Sequence, residues 1–228
     1  MRASSSSHNT PRTQAQIELL VFDLDGTLID TAHDLAHAVN FALQQLGRSA
    51  LPLAKVLTMV GDGARTLLTR ALEQPTEAEL QCAMQKFREH YAEHLTDHSK
   101  PYPGIAEVLK HFHAKKKAVL TNKPHEFTLA LLERLRLSQA FAVIQGAQAR
   151  LPLKPDPTSL QRLLSHFEVE ASRAVMIGDG ENDILVGKAA GTMTCAATYG
   201  FRPAENLSAL APDFVIHAPH DLLTLGYS

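Results

Sequence analysis

The sequence predicts an α/β fold, with a three-layer α/β/α core built on a mostly parallel sheet and an inserted all-helical domain. Three observations lead to this prediction. Four consecutive apolar residues at 19–22 are typical of a strand buried on both faces. Helical patterns then occupy residues 32–99, which is far more chain than one crossover helix needs. From residue 105 onward, helical and strand patterns alternate almost to the C-terminus.

The inserted segment shows helical periodicity throughout. Apolar residues recur at helical spacing from Leu35 to Leu46, and Gly47 supplies a C-terminal stop. Further helical patterns follow at residues 55–60, 64–72 and 78–94. We therefore expect residues 32–99 to form a helical cap, and residues 16–31 together with 100–228 to form the core. The expected hinges lie at residues 30–33 and 97–104, the second of which contains two prolines and a glycine.

The remaining core elements follow in alternation and predict a Rossmann-like arrangement. Strands are expected at residues 118–122, 142–145, 174–177, 192–196 and 213–216. Helices are expected at residues 105–114, 126–135, 157–167, 182–190 and 221–225.

Composition argues against several classes of function. The 228 residues are 45% hydrophobic and 20% charged, with a formal net charge of -2, so no nucleic acid or anionic membrane surface is expected as a partner. No apolar run approaches the ~18 residues of a spanning helix. Residues 1–15 are Ser-rich and are expected to form a disordered tail, not a secretory signal. Cys82 and Cys195 lack metal-binding spacing and are expected to be unpaired, buried thiols of a cytoplasmic protein.

The core strands end in polar residues, and these are the candidate functional residues. Asp23 and Asp25 follow the first strand, and alternation along an extended chain points both carboxylates to the same side. Because the carboxyl ends of parallel strands face one crevice, polar residues at several strand ends should meet there. The other candidates lie at strand ends or at the head of a following helix, and they are Thr121, Asn122, Lys154, Asp179 and Asp183.

Each candidate also has an ordinary explanation when it is taken alone. Asp-x-Asp-Gly is a common surface turn. A lone lysine such as Lys154 is usually solvated, and Asp183 suits the first turn of a helix, where the dipole favours an acid. The ordered set of residues is what favours a functional site.

The same set resembles the four motifs of the haloacid dehalogenase superfamily, and the chain is similar to its phosphatases over residues 19 to about 200. The motifs read Asp-Leu-Asp-Gly-Thr at 23–27, Thr-Asn-Lys-Pro at 121–124, Lys-Pro at 154–155, and Gly-Asp at 178–179 with Asp183. The helical insertion after the first motif resembles a C1-type cap. Residues 60–64, 121–124 and 198–201 resemble the phosphoglycolate phosphatase group more closely.

The resemblance implies a role for each residue. Asp23 would be the nucleophile that forms an aspartyl-phosphate, and Asp25 would be the general acid and base. Phosphoryl oxygens would be held by Thr121, by Lys154, and by backbone amides near Gly26 and Asn122. The implied Mg²⁺ ligands are the side chains of Asp23 and Asp179 and the Asp25 carbonyl, with Asp183 orienting bound waters.

A charge count leads separately to a cation. With Asp25 protonated, the Asp23, Asp179 and Asp183 carboxylates and a phosphate dianion face only the Lys154 ammonium. Adding Mg²⁺ halves this imbalance, and helix N-termini and backbone amides can balance the remainder.

The segment Gly61-Asp62-Gly63 leaves two interpretations open. It is either a plain helix-to-helix turn or a cap loop that closes on the leaving group, with Gly61, Gly63 and the adjacent Arg65 contacting substrate. Dinucleotide binding is disfavoured because no strand precedes the segment and the third glycine is absent. The histidines, among them His33, show no shared ligand spacing and are expected to have no catalytic role.

The sequence thus favours a Mg²⁺-dependent phosphatase for a small phosphorylated metabolite, with 2-phosphoglycolate as the preferred ester. The alternatives are a phosphomutase of the β-phosphoglucomutase type and a non-catalytic phosphate-binding relative. Gly180 stands where the group often has Ser, and residues 146–148 lack the acids common there, which weakens the choice of ester but not the chemistry. Monomer and homodimer are both compatible with the sequence.

Overall fold

The computed structural model describes residues 17–225, so the tail predicted at 1–15 lies outside the described residues. The strands are β1 (Leu19–Phe22), β2 (Ile29–Asp30), β3 (Lys100–Pro101), β4 (Lys116–Pro124), β5 (Val143–Ala147), β6 (Ala174–Gly178), β7 (Met193–Ala197) and β8 (Phe214–Ile216). The helices are α1 (Ala32–Gln45), α2 (Leu53–Leu57), α3 (Ala64–Leu72), α4 (Glu77–Glu93), α5 (Ile105–His111), α6 (His125–Arg134), α7 (Thr158–Phe167), α8 (Glu181–Ala190), α9 (Ala204–Ala209) and α10 (Asp221–Thr224). Short 3₁₀ helices cover Ser138–Ala140 and Ala171–Arg173.

Six of the strands form one sheet in the order β5-β4-β1-β6-β7-β8, and each neighbouring pair is parallel. Strand β1 lies inside the sheet, and its residues pack alternately into two apolar clusters. Leu20 and Phe22 join the larger cluster, whereas Leu19 and Val21 join the cluster that contains residues of α7. This burial of both faces explains the unbroken apolar run, and it confirms the predicted α/β fold with a mostly parallel sheet.

Residues 32–99, called the insertion below, contain helices α1–α4 and no strand. The segments that enter and leave the insertion pair with each other as the antiparallel strands β2 and β3, with Ile29 opposite Pro101 and Asp30 opposite Lys100. This pairing was not predicted, because two-residue strands carry no alternation. The treatment of residues 32–99 as a separate cap stays a prediction.

Other differences from the sequence predictions are local. Helix α9 was missed because its six residues are too few to show helical periodicity. The prediction of two buried thiols is wrong for Cys82, which is exposed because it lies on the outer face of α4, whereas Cys195 is buried within β7. No helix within residues 17–225 is long and apolar enough to cross a membrane.

Candidate active site

The carboxyl ends of the central strands bring the predicted residues to one cleft. Asp23 directly follows β1, Thr121 lies in the second half of β4, and Asp179 directly follows β6. These residues line a cleft between the sheet edge and the insertion. Residues that are 58 to 156 positions apart in sequence meet because all six strands of the sheet point the same way.

Lys154 is buried at the centre of the charged group. Its Nζ donates to Asp183 Oδ1 at 2.6 Å and to the Leu120 carbonyl at 2.8 Å, and it lies 3.0 Å from Asp23 Oδ1. Burial by itself lowers the pKa of this ammonium, but the Asp183 and Asp23 carboxylates outweigh it and raise the pKa. Lys154 therefore stays charged, in contrast to the solvated surface lysine of the ordinary explanation.

Asp179 is held from both sides. Its Oδ1 accepts a hydrogen bond from the Thr27 hydroxyl at 2.7 Å, and its Oδ2 accepts one from the Phe201 backbone N–H at 2.8 Å. A side chain at Gly26 or Gly200 would overlap this carboxylate, since a Cβ there would lie 2.2 Å and 2.4 Å from Asp179 Oδ2. The two glycines thus allow the backbone to close on Asp179, and Gly26 also needs its positive φ of 82°.

The two carboxylate oxygens of Asp183 make different contacts. Its Oδ2 accepts the Gly180 backbone N–H at 3.0 Å, as a first-turn acid of α8 does, while its Oδ1 accepts from Lys154. A Cβ at Gly178 would lie 2.1 Å from this carboxylate, so the glycine makes the close approach possible. Asp183 therefore both caps the first turn of α8 and belongs to the charged cluster of the cleft.

Asp25 follows β1 two residues after Asp23 and has partners that the sequence did not reveal. Lys123 Nζ donates to both Asp25 oxygens, at 2.9 and 3.1 Å, and to the Tyr91 hydroxyl at 2.7 Å. The Thr31 hydroxyl donates to Asp25 Oδ1 at 2.7 Å. Lys123 lies within the motif at 121–124, and this position was the one sequence signal that could have marked it as a site residue. Tyr91 looked like an ordinary apolar position of α4.

The carboxylates on the core side fit a divalent cation. Ligand oxygens of Asp23, Asp179 and Asp183 lie within 4.8 Å of one another. Among residues 17–225, Asp23 Oδ1 is the buried side-chain atom that makes no hydrogen bond, and its charged neighbour is Lys154 Nζ at 3.0 Å. Burial, followed by the Asp23 and Asp183 charges, raises the pKa of Asp179 to about 8, and burial with the Asp23 charge raises the pKa of Asp183 to about 7. Such crowding of oxygen donors suits a hard ion such as Mg²⁺.

The insertion forms the opposite wall of the cleft, and that wall is apolar. The chamber beside Asp25 has a volume of about 50 Å³. Its insertion-side lining comes from α1, the α2–α3 loop, α3 and α4, and it comprises Leu35, Val60, Gly61, Gly63, Ala64, Leu67, Phe87 and Tyr91. Gly61 and Gly63 therefore lie on the cleft, as the cap-loop interpretation expects.

The α2–α3 loop is fastened to the core by three polar side chains. Asn122 Nδ2 donates to the Gly61 carbonyl at 2.9 Å, and Asn182 Nδ2 donates to Asp62 Oδ1 at 2.6 Å. Arg202 Nη1 donates to the Thr58 carbonyl at 2.7 Å, and its other amino group binds the Val60 carbonyl. Arg202 was missed because it follows the recognised segment at 198–201 and has no motif of its own.

Three predicted substrate contacts look different in the structure. Arg65 points away from the cleft, is 58% exposed at the side chain, and pairs with Glu77 at 2.6 Å. The Gly26 N–H donates to the Ile29 carbonyl at 2.9 Å, so it is already engaged. The Asn122 side chain binds the backbone of Lys154 and the carbonyl of Gly61, which makes it a positioning group for both segments.

Comparison with a family model matches residues 20–197 to the haloacid dehalogenase-like hydrolases, and this span holds the carboxylates and lysines described above, whereas Arg202 lies just beyond it. The chain belongs to the haloacid dehalogenase-like hydrolase family. The match covers well over half of the chain and confirms the resemblance drawn from the four motifs.

Similar proteins within this family extend the match to nearly the full length. The phosphoglycolate phosphatase of Vibrio parahaemolyticus is 37% identical over 220 residues, covering 92% of this chain and 96% of the relative. That of Aquifex aeolicus is 36% identical over 211 residues, covering 92% and 96%. The crystal structure of a predicted phosphoglycolate phosphatase from Haemophilus somnus superposes with a TM-score of 0.87 at 30% identity, covering 92% and 98% of the two chains.

Proposed function

We propose that this chain is a Mg²⁺-dependent phosphatase that hydrolyses a small phosphate monoester, with 2-phosphoglycolate as the preferred substrate. The observation that carries the proposal is the meeting of Asp23, Asp25, Lys154 and the Asp179–Asp183 pair at the carboxyl edge of the sheet. Sequence identity of 36–37% to phosphoglycolate phosphatases over nine-tenths of the chain supports the choice of reaction.

In the proposed reaction, an Asp23 carboxylate oxygen attacks phosphorus and forms an aspartyl-phosphate, while the bond from phosphorus to the ester oxygen breaks. Asp25 gives a proton to the leaving alkoxide and later takes a proton from the water that hydrolyses the intermediate. In the structure Asp25 accepts hydrogen bonds from Lys123 and Thr31, which hold its carboxyl group in place on the cleft.

The surrounding residues stabilise charge. Lys154 is held between Asp23 and Asp183 and would also neutralise a phosphoryl oxygen beside Asp23. Thr121 lines the same cleft, and its hydroxyl hydrogen is available because its Oγ1 accepts the Lys123 backbone N–H. A Mg²⁺ ion held by Asp23, Asp179 and the Asp25 carbonyl, with Asp183 beside it, would supply the positive charge that the substrate dianion needs.

The cleft size supports a small ester. The chamber of about 50 Å³ beside Asp25 would receive the leaving group, and it has room for only a few non-hydrogen atoms. Lys123 is the cation among the residues that line this chamber, and it could pair with a substrate carboxylate. A two-carbon acid fits this description better than a hexose.

The test is a phosphate-release screen of the purified protein with Mg²⁺ over a panel of monoesters that includes 2-phosphoglycolate, p-nitrophenyl phosphate and glucose 1-phosphate. We expect the highest kcat/KM with 2-phosphoglycolate, and loss of turnover in EDTA that Mg²⁺ restores. Conversion of glucose 1-phosphate to glucose 6-phosphate without free phosphate would instead support the mutase. Absence of turnover with every ester would leave the non-catalytic relative, and EDTA-resistant turnover would contradict the metal requirement.

A further inference from the structure

Three histidines and a buried aspartate meet where the chain enters and leaves the insertion. His33, Asp34 and His37 lie in the first turns of α1, and His98 lies two residues before β3. None of these side chains lines the cleft. The proposed phosphatase chemistry does not use them, so their grouping needs a separate explanation.

Asp34 is the fixed point of this group. Its side chain is fully buried, and Oδ2 accepts hydrogen bonds from the Ser99 backbone N–H at 2.7 Å and from the Ser99 hydroxyl at 2.6 Å. Oδ1 accepts from the His98 backbone N–H at 3.1 Å and contacts His98 Nδ1 at 3.0 Å. Burial acts to raise the pKa of Asp34, but the Ser99 and His98 donors outweigh it and lower the pKa, so the carboxylate stays charged.

The imidazoles surround this carboxylate on the exposed side. His33 and His37 are four residues apart in α1 and therefore lie on the same helix face, with ring centroids 6.3 Å apart. The His98 ring lies 5.8 Å from that of His33 and 5.2 Å from that of His37. Ligand atoms of Asp34, His37 and His98 all lie within 4.8 Å of one another.

We propose that Asp34, His37 and His98, with His33 beside them, form a site for a divalent transition-metal ion such as Zn²⁺, which joins the two segments that connect the core to the insertion. Imidazole nitrogen with one carboxylate oxygen is a donor set that suits Zn²⁺, Cu²⁺ and Ni²⁺. The acidic cluster in the cleft offers oxygen alone, so the two sites differ in the metals that they select.

Part of the required ligand geometry is already present. In a tetrahedral site with bonds of about 2.0–2.1 Å, neighbouring ligand atoms lie about 3.3 Å apart. Asp34 Oδ1 and His98 Nδ1 are already 3.0 Å apart, so an ion would replace the hydrogen bond between them with a shift of a few tenths of an ångström. His33, His37 and His98 are exposed, so their rings can rotate toward the fixed carboxylate.

A second histidine pair nearby is the rival location. His90 and His94 are also four residues apart, their ring centroids are 4.3 Å apart, and His94 Nδ1 contacts Asp97 at 2.7 Å. That Asp97 is half exposed, whereas the Asp34 carboxylate is buried and pinned by backbone donors. A fixed ligand loses less freedom on binding, which favours the Asp34 group.

The test is a Zn²⁺ titration of the full chain against a competing chromophoric chelator, with excess Mg²⁺ to occupy the acidic cleft. We expect one Zn²⁺ per wild-type chain and binding at least tenfold weaker in H37Q/H98Q. The matched control H111Q/H113Q and the rival variant H90Q/H94Q should bind as wild type does. Asp34 is left intact because replacing a buried, hydrogen-bonded carboxylate could unfold the chain.

Thermal unfolding gives a readout independent of the chelator. Zn²⁺ should raise the midpoint temperature of the wild type and of H111Q/H113Q, because an ion bound only to the folded state stabilises that state. It should leave the midpoint of H37Q/H98Q unchanged. Unchanged Zn²⁺ affinity in H37Q/H98Q, loss confined to H90Q/H94Q, or no stoichiometric binding by the wild type would each overturn the proposal.

Discussion

On the core side of the cleft, Asp179, Asp183 and Lys154 are buried and Asp23 is partly buried, whereas the insertion side presents apolar side chains such as Leu67. The core residues come from strand ends and are held by several contacts each, including backbone donors. Most insertion residues on the cleft contribute apolar packing surface, and polar contacts from the core reach the Val60 and Gly61 carbonyls and the Tyr91 hydroxyl. Under the proposed function, we expect the core wall to determine the chemistry and the insertion wall to determine which ester is accepted, so that the two can be altered separately.

The largest effect is expected from Asp23→Asn, which removes the proposed nucleophile from the core wall. Hydrolysis of p-nitrophenyl phosphate should fall below about 1% of wild type, because an amide cannot form the acyl-phosphate. The control is Asp30→Asn, which lies on β2 outside the charged cluster and should keep its activity. Circular dichroism checks that both variants fold, and retention of more than a few per cent by Asp23→Asn would contradict the assignment.

A large but incomplete effect is expected from Lys154→Met, which keeps the side-chain volume and removes the charge. We expect kcat to fall by about a hundredfold. The free energy of unfolding should fall by about 3–5 kcal/mol because the buried carboxylates of Asp23 and Asp183 lose their counter-ion. Urea denaturation and steady-state kinetics measure the two effects.

Lys117→Met is the matched control for Lys154→Met. Lys117 is also buried on the sheet, but its Nζ donates to the Phe112 and Lys115 carbonyls, away from the cleft. This variant should lose stability without losing kcat. Equal kcat in the two variants would show that the Lys154 charge is structural only.

The crowding of carboxylates on the core wall should appear in the pH dependence of stability. The pKa of Asp179 is raised to about 8 and that of Asp183 to about 7, both above those of the unfolded chain. The metal-free folded state therefore holds more protons than the unfolded state between about pH 4 and pH 8, and stability falls as the pH rises through this range. The midpoint temperature should decline less steeply in Asp179→Asn and in saturating Mg²⁺. If the midpoint temperature fell with pH equally steeply in wild type and in Asp179→Asn, the raised pKa of Asp179 would not be the cause of the pH dependence.

A smaller effect, confined to selectivity, is expected on the insertion wall. Leu67→Ala should enlarge the chamber and raise kcat/KM for p-nitrophenyl phosphate relative to 2-phosphoglycolate by about tenfold. Leu72→Ala, on the same helix and equally buried, packs in the core cluster and is the control. Both should cost about 2–5 kcal/mol of stability. An unchanged ratio in Leu67→Ala would show that the apolar wall does not select the ester.

The smallest effect is expected from Arg65→Ala. Its exposed ion pair with Glu77 should add little to stability because solvent screens both charges, and kcat/KM should stay at the wild-type value. Arg202→Ala is the informative comparison, since Arg202 binds the backbone carbonyls of the α2–α3 loop and its loss should raise KM several-fold. A rise in KM with Arg65→Ala would instead support the prediction that Arg65 contacts the substrate.

The sequence alone determined most of the core. The run at 19–22 and its abrupt end located β1, and the alternation after residue 105 predicted the parallel sheet. Parallel strands share a carboxyl edge, so the prediction that Asp23, Thr121 and Asp179 lie together followed from strand ends without any long-range contact. Local periodicity and one rule of topology were sufficient for this part.

Tertiary structure alone decided the contacts between segments that carry no common pattern. Four such contacts join residues that are tens to more than a hundred positions apart. They are the β2–β3 pair, the Lys123 contacts with Asp25 and Tyr91, the Arg202 contacts with the α2–α3 loop, and the histidines around Asp34. Helical and strand periodicities report only on which face a residue occupies within its own element. Which faces meet is determined by how the insertion packs on the core. The candidate catalytic residues of the core wall could therefore be predicted from the sequence, whereas the contacts that attach the insertion wall to the core could not.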